Sequence, residues 1–126
     1  MSWNSYTDSI INSGFSNGAA IYSRDGKGLW AESNGLIFNS QEIAEIAAGF
    51  DEPSHLQSNG LHYKGTKYFL LRADDRTIHA KHEVDGIFCV RTNQSIVIAH
   101  YTKGTQPNQC STFVEKLADY LISLGY

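Results

Sequence analysis

Gly14-Phe15-Ser16-Asn17-Gly18 spells G-x-S-x-G, the frame in which a serine hydroxyl can serve as an acyl-transfer nucleophile. That chemistry needs a strand before the serine and a helix after it, so that Oγ is thrust out on a sharp turn. Here a helical pattern precedes and a strand pattern follows, so Ser16 is expected to be an ordinary loop residue. Five histidines, at 55, 62, 79, 82 and 100, offer imidazoles for metal binding or proton transfer. None stands in H-E-x-x-H or beside C-x-x-C. His79 and His82, three apart in a strand pattern, point to opposite faces. Asp74-Asp75 reads as a pair of solvated turn formers, and Gly26-Lys27-Gly28 lacks the rest of a phosphate loop. No acid, base and nucleophile converge, so no enzyme, no catalytic residue, no metal site and no cofactor is expected.

Binding chemistry is better represented. Trp3 and Tyr6 stand near one end of the sequence, Tyr120 and Tyr126 near the other, and Trp30 offers a second indole. Little buried surface usually holds terminal residues, so large rings there suggest docked termini, lying side by side. Rings with an apolar body and a polar tip suit a wet binding surface better than a sealed core. Ordinary core packing is the plainer reading of the same spacing.

The totals set limits. A chain of 126 residues is read as one domain spanning 1–126. It can bury roughly two-thirds of its unfolded surface without a disulfide or metal. With 41% hydrophobic and 18% charged residues it has an ordinary globular composition. No apolar run approaches a membrane span. The opening residues lack a basic and then apolar leader, so a cytoplasmic location is expected. Cys89 and Cys110 form no C-x-x-C pair and read as reduced thiols. Cys110 falls in the first turn of a helical pattern, where the dipole would lower its pKa; small apolar filler is the other reading. The net charge of −3 is uneven: residues 1–59 hold two basic and seven acidic side chains, residues 60–105 seven basic and four acidic. A basic middle is either a patch for an acidic partner or a solvated face.

These residues need elements to hold them. Trp3, Tyr6 and Ile10 have helical spacing over 3–12, with Ser2 as N-cap. Ala19–Arg24 and Leu29–Ser33 read as strands joined by Asp25-Gly26-Lys27-Gly28. Asn39-Ser40-Gln41-Glu42 has the form of a capping box before Ile43, Ile46 and Ala47, with Gly49 as the stop. Asp51-Glu52-Pro53 starts a shorter helical piece that Asn59-Gly60 terminates. Leu61–Lys64, Lys67–Ala73, Thr77–Lys81, Ile87–Arg91 and Ser95–Tyr101 are strand-like, with gaps too short for helices, so neighbours pair antiparallel. The last helix carries Phe113, Leu117, Leu121 and Leu124 as its apolar stripe, with Glu115, Lys116 and Asp119 toward water. The class is α+β, with a central antiparallel sheet of six to seven strands.

Three segments together resemble the profilin family. Ser2-Trp3-Asn4-Ser5-Tyr6-Thr7-Asp8 matches the S-W-x-x-Y-x-D opening, and Leu71-Arg72-Ala73-Asp74-Asp75-Arg76 matches a central motif. Val114-Glu115-Lys116-Leu117-Ala118-Asp119-Tyr120-Leu121-Ile122 matches the terminal helix. With Trp30, they run in family order over the whole chain, closest to the short fungal and amoebal members. The resemblance implies a cytoplasmic, cytoskeleton-associated protein that binds monomeric actin, proline-rich partners such as formins, and phosphoinositide headgroups at the membrane surface. Through actin it would regulate polymerisation and nucleotide exchange. No cofactor, covalent chemistry or nucleic-acid partner is implied. The family fold places the two terminal helices on one face of the sheet and smaller helices on the other.

By the same resemblance, the proline site maps onto Trp3, Tyr6, Trp30, Tyr120, Leu121 and Tyr126. Proline-rich segments already occupy the extended PPII form, so they lose little entropy on docking. Their exposed carbonyls need N–H or O–H donors, their pyrrolidines flat rings, and Leu121 is an apolar wall. The actin face maps onto Lys67, Arg72, Arg76, His79, Lys81, Asn108, Thr112 and Lys116. Acidic headgroups would share Arg72, Arg76 and Lys81. Strict alternation puts Lys67, Phe69 and Leu71 on one face and Leu70 and Arg72 on the other, unless a bulge intervenes. Three departures touch this site. Pro107-Asn108 stands where relatives have P-G, with Asn tolerating a left-handed backbone. Thr112 replaces a Lys. Ala80 replaces a Gly and would stiffen its strand. The alternative is a small-ligand sensor or enzyme on a similar sheet, which would show a deep internal pocket lined by His55, His62 or His100.

Overall fold

Ser95–Tyr101 (β7) is buried at six of its seven positions, with only His100 partly open. A strand buried on both sides must lie between two covering layers, and the topology supplies them. In the computed structural model, which describes residues 3–126, β7 pairs on one side with β1 (Gly18–Ser23) and on the other with β6 (Asp85–Arg91). Beyond β1 lies β2 (Leu29–Ser33); beyond β6 lie β5 (Thr77–His82), β4 (Thr66–Ala73) and β3 (Leu61–Tyr63). The order is β2-β1-β7-β6-β5-β4-β3, seven strands, every pair antiparallel.

Side-chain alternation divides the core in two. On one face, Ile10 of α1 (Trp3–Asn12) and Cys110, Val114, Ala118 and Leu121 of α4 (Pro107–Ser123) cover Ala19, Ile21, Val97, Ala99 and Phe88. On the other, α2 (Ser40–Gly49) and α3 (Ser54–Asn59) bring Ile43, Ile46 and Leu56 against Ala20, Tyr22, Ile96, Ile98 and Ile78. Ala19 and Ala99 are register partners, and their small size gives the helices close seats on the sheet.

Local chemistry sets the boundaries. The expected capping box is present: Asn39 Oδ1 accepts from the Glu42 amide at 2.8 Å and Glu42 Oε1 accepts from the Asn39 amide at 3.1 Å. Glu42 Oε2 also accepts from the Gly65 amide, which fastens α2 to the β3–β4 turn. That turn is Lys64-Gly65, both at positive φ (50° and 75°), one residue earlier than the expected Gly65-Thr66. The Ser2 cap falls outside the described residues.

Two expectations are corrected. β6 begins at Asp85, because His82 pairs with Asp85 and leaves only Glu83-Val84 as the hairpin loop. The buried stripe of α4 is Cys110, Val114, Ala118 and Leu121, flanked by half-buried Phe113 and Leu117, while Leu124 is 47% exposed. Small residues win the sheet-facing positions because the helix lies close to the strands. The larger side chains are displaced to the rims.

Candidate functional site

α1 is fastened to the edge strand β2 by a polar latch. The Ser33 hydroxyl lies 2.8 Å from Thr7 Oγ1 and 2.6 Å from Asp8 Oδ1, and Asn4 Nδ2 donates to the Glu32 carbonyl at 3.1 Å. This places Trp3 against Trp30, ring centroids 4.7 Å apart. α4 ends in a Schellman turn: the Gly125 amide donates to the Ile122 carbonyl at 3.0 Å and the Tyr126 amide to the Leu121 carbonyl at 2.9 Å, with Gly125 at φ 95°. The β6–β7 turn grips the same segment. The amide of Gln94 and the hydroxyl of Thr92 both donate to the Tyr126 main-chain oxygen. So held, Tyr126 meets Trp3 edge-on at 4.9 Å and 78°, and Tyr6 packs 5.7 Å from Trp3 and 6.3 Å from Tyr120.

Trp3, Tyr6, Trp30, Tyr120 and Tyr126 therefore form one continuous shelf. Among the described residues, none of their indole N–H or phenol groups has a hydrogen-bond partner, and no buried side-chain polar atom is left unpaired. Those of half-buried Trp3, Tyr6 and Trp30 therefore reach solvent, and Tyr120 and Tyr126 are 48% and 39% exposed. Burial of its ring and the nearby Tyr120 and Tyr126 raise the Tyr6 pKa, so its hydroxyl keeps its proton and can donate. Leu121, expected as a wall, is fully buried. It packs beneath the rings as their floor, because it faces the sheet rather than the shelf. The aliphatic wall is Leu124, which with Trp3, Tyr6 and Tyr126 bounds a well of about 280 Å³. A place on the apolar stripe of α4 hid Leu124 from sequence reasoning; its position just before Gly125 was the available signal.

The cationic residues lie on the α1/α4 face of the sheet, toward its β4 side. A bulge in β4 sets Phe69 opposite Lys81, Leu70 opposite Ala80 and Arg72 opposite His79, with Leu71 as the extra residue. Arg72 therefore joins Lys67 and Phe69 on one face, against strict alternation. His79 stacks on Phe88 at 3.9 Å and 19°, and its Nε2 lies 2.9 Å from the Tyr101 hydroxyl. Burial first, then the charges of Lys81 and Arg72, lower its pKa to about 4, so it carries no charge at neutral pH. Arg72 pairs with Asp74 at 2.9 Å. Arg76 reaches α4 instead: its Nη2 donates to Asp119 Oδ1 at 2.7 Å and to the Glu115 carbonyl at 3.2 Å. Asn108, Thr112 and Lys116 line a groove of about 320 Å³ with Phe15 and Phe113. Asn108 lies inside α4, so no left-handed backbone arises there, and Thr112 donates back to its carbonyl at 2.7 Å. Ala80 is buried on the opposite face against the α2 layer. Sequence reasoning missed the exposed apolar residues among the cations: Phe69 at 63%, Leu71 at 59% and Val84 at 52%.

The remaining candidates are occupied. The Ser16 hydroxyl is buried and lies 2.7 Å from the carbonyls of both Gly18 and His100, either of which can take its one proton. Cys110 does lie in the first turn of α4, but burial overrides the dipole and pushes its thiol up to about 12. Burial raises Cys89 as well. His55 and His62 line an open cleft of about 600 Å³ between α2, α3 and β3, where His55 pairs with Glu45 at 2.8 Å. His100 sits at a separate surface nook with Asn17 and Tyr63. The enclosed pocket on which the small-ligand alternative depended is therefore not formed by these histidines. Among the described residues no group of three or more His, Cys, Asp or Glu side chains is placed to hold a metal.

Comparison with known proteins gives one consistent result. The Profilin family model matches residues 1–126. The profilin of Saccharomyces cerevisiae is 52% identical over 126 residues, covering all of both chains. The crystal structure of Acanthamoeba castellanii profilin II superposes with a TM-score of 0.94 at 37% identity, over 99% of this chain and all of that one. Mouse profilin IIa, solved in complex with a double repeat from the FH1 domain of mDia1, shares the fold at a TM-score of 0.82 and 22% identity, over the full length of both.

Proposed function

This chain belongs to the profilin family, and on that premise we propose that it binds proline-rich segments on the aromatic shelf and monomeric actin on the cationic face. The single observation that carries the reading is the convergence of α1, β2 and α4 into one shelf whose indole and phenol donors meet no partner among the described residues. A PPII segment needs that combination: flat rings for its pyrrolidines and donors for carbonyls that have no N–H of their own to pair with. A donor contributes about 1 kcal/mol net and a ring contact about as much. Affinity therefore arises from several positions together.

On the other site, Lys67, Arg72 and Lys81 supply positive charge around exposed Phe69 and Leu71, with Asn108, Thr112 and Lys116 on α4 as further contacts. Charge steers an acidic partner, and the apolar residues release water on contact. Phosphoinositide headgroups would use the same cations, drawing Arg72 away from Asp74, and lipid and actin then compete. Arg76, engaged with α4, serves that site by holding the helix. Regulation of actin polymerisation and nucleotide exchange follows from occupying an actin subunit. No covalent step is assigned to any residue.

Retention on immobilised polyproline tests the shelf. The unaltered protein is expected to be retained, and Trp3→Ala and Tyr126→Ala each to lose at least tenfold in affinity while melting as cooperatively as the parent. Unretarded passage of the unaltered protein would overturn the reading.

A further inference from the structure

Arg24 and Lys27 are the two basic residues among the first 59, which hold seven acidic ones, and the β1–β2 turn brings both to one groove. This open groove of about 890 Å³ is lined on its α2 side by Ala44, Ala47 and Ala48, small residues that let an extended backbone lie close. Its carboxylates and its third cation are already engaged. Arg91 Nη1 donates to Asp51 at 2.9 Å, and Asp25 Oδ1 accepts from the Ser23 hydroxyl at 2.6 Å and the Lys27 amide at 2.9 Å. Arg24 donates from Nη1 to the Thr92 carbonyl at 2.5 Å. Its remaining guanidinium donors and the Lys27 ammonium have no hydrogen-bond or ion-pair partner among the described residues. The groove meets the aromatic shelf at two points. The Trp30 indole nitrogen lies 3.9 Å from where a Cβ would stand on Gly28. Gln94 lines the groove while its amide and side chain hold Tyr126 and Gly125.

We propose that this groove extends the shelf: Arg24 and Lys27 capture a glutamate or aspartate flanking the proline run, so that the protein prefers proline segments with an acidic neighbour. The inference rests on the proline-shelf reading above. An extended chain advances about 3.3 Å per residue, so the first few residues beyond the ring-bound prolines reach the groove mouth at Gly28. There a guanidinium forks onto a carboxylate and an ammonium adds a point charge. Both cations are exposed, so the gain is modest and screened by salt. The rings and neutral donors of the shelf make no distinction of charge; the groove adds one. Because it adjoins the Trp30 side of the shelf, the acidic residue counts at one end of the proline run and not at the other.

The test uses the full chain and decaproline carrying three glutamates, three glutamines or three lysines at either end, with binding read from the fluorescence of Trp3 and Trp30. In low salt, glutamates at one end are expected to bind about three- to tenfold tighter than glutamines there, and lysines more weakly. The advantage should shrink as salt rises. Lys27→Glu should remove or reverse it while plain decaproline binding changes by no more than about twofold. Glutamate peptides binding no tighter than glutamine peptides at both ends, or a preference that survives Lys27→Glu and Arg24→Gln together, would overturn the flanking-acid role alone. A groove that takes lipid headgroups instead would lose phosphoinositide-vesicle binding in Lys27→Glu with no glutamate preference in the unaltered protein, and that result also overturns it. Failure of the unaltered protein to bind decaproline would overturn the shelf itself.

Discussion

Gly125 carries more of the candidate site than its lack of a side chain suggests. At φ 95° it reverses the chain after α4, and the turn seats Tyr126 against Trp3. An L-residue there pays roughly 1 kcal/mol in left-handed strain. Gly125→Ala should therefore weaken polyproline binding severalfold and lower the melt by a few degrees, a cost that comes from the backbone alone, since nothing lies within 4 Å of an added Cβ. His79 makes the opposite point. Its type suggests a cation, yet burial and the nearby Lys81 and Arg72 hold its pKa at about 4 against 6.5 for the free side chain. The unfolded chain thus takes up the proton first. Stability from this group is full above about pH 6.5 and falls as the pH drops from there toward 4. An NMR titration should find the His79 ring neutral down to about pH 5, and His79→Gln should flatten the acid limb of the stability profile. Glycine at 125 and histidine at 79 were legible as letters; the sign of the turn and the charge state of the ring depended on neighbours distant in sequence.

At the scale of elements, α4 is the shared support. Its first half presents Asn108, Thr112 and Lys116; its far end presents Tyr120, Leu124 and the turn to Tyr126. Between them the β4–β5 turn grips the helix: Arg76 bonds Asp119 and Glu115, and Thr77 Oγ1 lies 3.0 Å from Glu115 Oε1. Arg76→Ala is expected to cost about 1 kcal/mol, since the ion pair is partly exposed but a carbonyl contact is lost with it. The melt should shift down by a few degrees, and polyproline affinity should fall far less than in Trp3→Ala. The helix itself was readable from its period, but its buried stripe was not. Hydrophobicity alone favours Phe113 and Leu117, whereas close approach to Ala19, Ala99 and Val97 selects Cys110, Val114 and Ala118. The β4 bulge was invisible for a related reason: an extra residue leaves no mark on composition, yet it moves Arg72 to the face of Lys67.

At the scale of the molecule, the aromatic shelf and the cationic face are separate: the shelf rests on the edge strand β2 with the ends of α1 and α4, while the cations lie on β4 and β5, toward the other edge of the sheet. They also differ in physics. Rings and neutral carbonyls are little affected by ions, whereas free lysines and arginines at a surface are screened over about 10 Å in 0.1 M salt. Polyproline retention should persist as salt rises, while actin or phosphoinositide-vesicle binding declines. A proline peptide and actin should also occupy the protein together; displacement of one by the other would contradict the separation. The sequence by itself determined the helices, the strands, the capping box and the two sets of residue types, because propensity, period and turn chemistry act over a few residues. Tertiary structure alone decided that β7 lies between β1 and β6, which brings α1 and α4 side by side and makes one shelf from rings more than a hundred residues apart. That pairing is a long-range choice among strands of similar pattern, settled by burial of both sheet faces at once and not by any local signal.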